Sequence, residues 1–68
     1  MADEGYYLEY QQLGALVKVT AIDPVSRLEA VIQGPASAGE AALGRLAVQK
    51  LEYLLRRRNG STTRDTEK

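Results

Sequence analysis

Residues Ser37–Arg58 read SAGEAALGRLAVQKLEYLLRRR, and this stretch decides the fold. Ser37-Ala38-Gly39-Glu40 has the spacing of a capping box. In that arrangement the serine hydroxyl accepts from the Glu40 amide, and the Glu40 carboxylate reaches back to the Ser37 amide. The segment that follows contains no proline and a single interior glycine, Gly44. At about 100° per residue, Leu43, Ala47, Val48, Leu51, Leu54 and Leu55 fall on one side of a helix. Arg45, Gln49, Glu52 and Arg56 define the opposite side, with Glu52 and Arg56 in the favourable i,i+4 order. Asn59-Gly60 reads as the C-terminal stop. An amphipathic helix over 37–58 is expected, and its apolar stripe needs a layer to cover.

The residues before it supply that layer. Tyr6–Gln12 alternates, with Tyr6, Leu8 and Tyr10 on one face and Tyr7, Glu9 and Gln11 on the other, as a strand would. Gly14 marks a turn. Leu16–Ile22 forms a second strand, in which Val17, Val19 and Ala21 share a face. Asp23-Pro24-Val25-Ser26 is a turn: the aspartate carboxylate can accept from an amide two residues on, and proline pre-sets φ at the second position. A third strand, Leu28–Gln33, ends at Gly34-Pro35 because proline cannot donate to a ladder. Short connections imply an antiparallel meander. The expected fold is α+β: a three-stranded antiparallel β-meander followed by one C-terminal α-helix packed on the sheet (βββα). Leu8, Val17, Val19, Leu28, Ala30 and Ile32 form the sheet side of the core. Residues 1–5 and 60–68 are expected to be disordered tails around one domain over 6–59.

The chain has 68 residues and no cysteine, histidine or tryptophan. A core of this size often supplies only about 3–5 kcal/mol, which favours self-association. Without cysteine there is no disulfide framework and no thiolate metal site. Without histidine or cysteine, the commonest general base, the thiol nucleophile and the usual transition-metal ligands are missing. Glu9 and Glu29 belong to the solvated sheet face, and Ser26 and Ser37 have no base beside them. Residues 34–39 lack the Gly-Lys-Ser/Thr ending of a phosphate loop. No enzyme is expected, and no catalytic residue, metal, cofactor or small-molecule substrate.

Nine basic and nine acidic residues cancel, so nucleic acid or an anionic membrane could be held only by a local patch. No apolar run approaches the ~20 residues of a membrane span. The acidic start, Met1–Gly5, lacks the apolar centre of a signal peptide. Cytoplasmic residence is the expectation.

Two surface features remain. Ala42, Leu46 and Tyr53 lie about 100° from the core stripe, where a helix on a sheet needs no apolar side chain. They are the candidate interface for a protein partner or a second copy of the chain, unless the helix is simply wide-faced and something covers them. A Tyr-rich first strand at a sheet edge offers a second route to pairing. The other feature is Arg56-Arg57-Arg58, which with Lys50 is the candidate nucleic-acid contact. Against it, cations gather in a helix's last turn because they complement its negative end, and three consecutive residues spread over roughly 200°. The open sheet face offers phosphates little either. Tyr7, Glu9, Gln11, Lys18, Thr20, Glu29, Val31 and Gln33 include two acids and one base.

The segments Val17-Lys18-Val19-Thr20-Ala21-Ile22-Asp23-Pro24, Gly34-Pro35-Ala36, Leu46-Ala47 and Lys50-Leu51-Glu52-Tyr53 resemble a family of short uncharacterised proteins from alphaproteobacteria. The resemblance covers roughly residues 6–57. It implies a bacterial cytoplasmic protein and transfers no catalytic or binding residue. A small non-enzymatic interaction or self-associating module is therefore the functional expectation, with weak nucleic-acid binding as the alternative.

Overall fold

The structure is a computed structural model that describes residues 5–64, with side chains as far as Arg58. Three antiparallel strands, β1 (Tyr7–Leu13), β2 (Leu16–Ile22) and β3 (Glu29–Pro35), form an open sheet in the order β1-β2-β3. A 3-10 turn (Ala36–Ala38) leads into one helix, α1 (Glu40–Arg64), which packs on the sheet. This is the βββα, α+β architecture expected from the sequence.

Each connection has a local cause. β1 and β2 are joined by Gly14-Ala15, and Gly14 takes φ 64°, the left-handed first position that a type II′ hairpin demands. Between β2 and β3, the Asp23 carboxylate accepts from the Val25 amide (3.2 Å) and the Ser26 hydroxyl (2.9 Å), and Ser26 Oγ accepts from the Leu28 amide (3.1 Å). The Arg27 amide donates to the Asp23 carbonyl at 2.7 Å, which holds Arg27 at φ 69°.

Alternation sorts the sheet faces. Val17, Val19, Ala21 and Ala30 are buried under the helix, with Leu8, Leu28 and Ile32 packed around them. From α1, Leu43, Ala47, Val48 and Leu51 close the core, flanked by the partly buried Leu54 and Leu55. Two glycines set the separation of the layers. A Cβ on Gly34 would stand 2.5 Å from Leu43 Cδ2, and one on Gly44 would collide with the Tyr10 hydroxyl. Gly44, unremarkable within the helix pattern, is thus where β1 touches α1.

The element ends differ from expectation. β3 runs through Gly34 and Pro35, which pairs with Leu16. The Ala36 amide donates to the Ala15 carbonyl at 2.8 Å, so Leu16 and Pro35 face each other at a wide, non-hydrogen-bonded pair. The proline nitrogen points outward from an edge strand, and no ladder bond is lost. That same bond keeps the chain tied to the sheet past residue 35, so the helix does not start at Ser37. Gly39 (φ 90°) occupies the cap position, with its carbonyl accepting from the Leu43 amide at 3.1 Å. Glu40 is left as the first helical residue, where its carboxylate complements the helix dipole. The Ser37–Glu40 capping box is replaced by this glycine cap. At the other end α1 continues through Asn59-Gly60 to Arg64. A glycine stop is reinforced by an apolar residue packing back on the last turn, and Ser61-Thr62-Thr63 provides none. Of the expected tails, residues 1–4 and 65–68 lie outside the described residues, and 60–64 belong to the helix.

Candidate functional site

Helical spacing and three contacts place the outer surfaces of α1. Gly44 meets Tyr10 and Leu8 of β1, so that side of the helix faces β1. About 120° round from it, Lys50 donates from Nζ to the Val31 carbonyl of β3 at 2.9 Å. Leu46 and Tyr53 border Lys50 on the side away from the core, so the Ala42–Leu46–Tyr53 flank lies on the outer surface of α1, on its β3 side. Leu46 is 51% exposed, Tyr53 is 49% exposed and Ala42 is half-buried. About half the surface of each of the two large side chains is open to solvent.

The candidate cations do not form one group. Arg57 shares the flank with Tyr53: its guanidinium carbon lies 5.9 Å from the ring centroid, and Nη1 donates to the Tyr53 hydroxyl at 3.4 Å. Lys50 shares the flank too but is occupied by the Val31 carbonyl. Arg56 and Arg58 are exposed and leave the helix in other directions, each about 100° from Arg57. The two candidate sets therefore merge in part. One flank carries Ala42, Leu46, Lys50, Tyr53 and Arg57, an apolar strip bordered by cations.

On the opposite face of the sheet, cross-strand register lines up Tyr7, Ile22 and Glu29; Glu9, Thr20 and Val31; Gln11, Lys18 and Gln33; and Leu13, Leu16 and Pro35. Every residue expected on that face is there. Leu13 (46% exposed) and Leu16 (45% exposed) were missed as members of it, although strict alternation about Val17 places Leu16 there. Glu9 and Glu29 sit on the two outer strands, one row apart and separated by β2. Among the described residues, no three acidic side chains are grouped so as to hold a metal ion. No described helix is long and apolar enough to cross a membrane.

Comparison with known families assigns the chain to one of them. Residues 3–58 match the model of a domain of unknown function, DUF6898. The chain belongs to the DUF6898 family. The match spans all three strands and the helix through Arg58, so the flank and both sheet edges fall inside the DUF6898 region. Neither a search of curated proteins nor one of solved structures found a match.

Proposed function

We propose that this DUF6898 chain is a small non-enzymatic protein-interaction module that engages a protein partner through the β3-side flank of α1. The observation that carries this reading is the pair Leu46 and Tyr53, two turns apart on one flank and each about half exposed. Large apolar side chains in such an array are what an interface core uses, with the bordering Lys50 and Arg57 as its polar rim. Residence in the bacterial cytoplasm is part of the same proposal. The test is the double variant Leu46→Asp, Tyr53→Ser, compared with wild type by co-purification and by thermal unfolding. The variant is expected to keep its fold and lose its partner. An unchanged set of co-purifying proteins sinks the proposal.

A nucleic-acid reading rests on the basic end of the helix, Arg56, Arg57 and Arg58, and is weakened by the engagement of Lys50 and Arg57 within the protein. Titration of generic DNA and RNA at low salt decides it. If the reading holds, binding falls as salt rises and is lost when the three arginines become glutamine.

A further inference from the structure

The two edges of the sheet are not equivalent. Because Leu16 and Pro35 form a wide pair, the outward backbone groups of β3 are those of Glu29, Val31, Gln33 and Pro35. That edge is guarded. Lys50 covers the Val31 carbonyl, Pro35 has no amide to offer, and α1 overhangs it. A lysine and a proline are the devices by which proteins keep an edge from pairing.

β1 carries no such guard. Its two-residue loop makes Leu13 and Leu16 a narrow, hydrogen-bonded pair, so the amides and carbonyls of Leu8, Tyr10 and Gln12 point away from β2. They take no backbone partner among the described residues. The strand is seven residues long, and all but Leu8 are exposed. The helix packs on β2 and β3 and leaves the outer half of β1 uncovered, with Tyr10 38% exposed.

We infer that β1 pairs antiparallel with β1 of a second copy, across a two-fold axis at Tyr10, joining the two three-stranded sheets into one. The side-chain order of β1 is self-complementary in that register. Tyr7 meets Leu13 of the second copy, Glu9 meets its Gln11, and Leu8 meets its Gln12. The exposed apolar ends thus cover each other, and each Glu9 carboxylate faces an amide that can donate to it. The next register toward the N-terminus sets Glu9 against Glu9, which like-charge repulsion disfavours. The next register the other way shortens the ladder at both ends. With strands ~4.8 Å apart, the two helices stand about 19 Å from each other, so they do not collide. The Tyr10 rings fill the space between them. This surface is separate from the Leu46–Tyr53 flank and does not depend on it.

Sedimentation of the full chain tests the pairing. Wild type is expected at twice the 7.5 kDa chain mass, with amide exchange at Leu8, Tyr10 and Gln12 slowing as concentration rises. Gln11→Glu introduces a carboxylate opposite Glu9 of the other copy, twice per dimer, and is expected to weaken association about tenfold. Inside one chain that carboxylate faces Lys18, so the fold is retained. Adding Glu9→Lys restores the dimer by placing opposite charges at both sites. The Leu46→Asp, Tyr53→Ser variant is expected to dimerise as wild type does. A chain that stays monomeric at about 1 mM overturns the inference. So does a dimer indifferent to Gln11→Glu, one not rescued by the charge exchange, or one dissolved by the flank variant.

Discussion

Tyr10 lies across Gly44, with its hydroxyl donating to the Glu40 carbonyl at 3.3 Å where a side chain at position 44 would otherwise stand. One strand residue thus holds the first turn of the helix and explains the glycine one turn later. The contact is all the more important because the helix meets β1 at few other points.

This relationship gives a double-mutant prediction. Replacing an interior helical glycine by alanine ordinarily stabilises by about 1 kcal/mol. Here Gly44→Ala displaces the Tyr10 hydroxyl, and a net destabilisation of about 0.5–1 kcal/mol is expected from the lost hydrogen bond and packing. In a Tyr10→Phe background the same substitution becomes neutral or stabilising. Urea unfolding of the four proteins in the cycle reads the coupling directly.

At Gly34 the obstacle is harder. A new Cβ would meet Leu43 Cδ2, and Leu43 is 2% exposed with no room to retreat. Gly34→Ala is expected to cost about 1–3 kcal/mol through overpacking. Leu43→Ala should cost less in the Gly34→Ala background than in wild type, because the space it opens relieves the clash. A midpoint equal to wild type for Gly34→Ala would show that the layers can separate freely.

The β2–β3 turn has two opposite levers. Asp23→Ala removes the acceptor for the Val25 amide and the Ser26 hydroxyl, for an expected loss of about 1–2 kcal/mol. Arg27→Gly relieves a left-handed non-glycine residue and should gain about 1 kcal/mol. Thermal midpoints moving down and up respectively are the result to look for.

Lys50→Met uncovers the Val31 carbonyl on the guarded edge. Because Lys50 is exposed, little change in unfolding midpoint is expected. Association should increase beyond the wild-type state, measurable by light scattering against concentration. An unaltered profile would mean that the helix overhang alone protects β3.

Much of this molecule was readable from residue order alone. The bounds of β2, the faces of all three strands, the aspartate turn and the apolar stripe of α1 follow from periods of two and 3.6 and from turn chemistry, which are local properties. The same period placed Ala42, Leu46 and Tyr53 together and off the core. Tertiary structure alone decided where the helix begins, because the Ala36–Ala15 bond ties the chain to the β1–β2 loop some twenty residues earlier. It also gave Gly34 and Gly44 their meaning, since each is small only in relation to a side chain distant in sequence. And it decided which sheet edge lies on the side of the Leu46–Tyr53 flank and which edge lies bare. The orientation of a helix on a sheet is set by the packing of the two layers, and no pattern within either layer carries it.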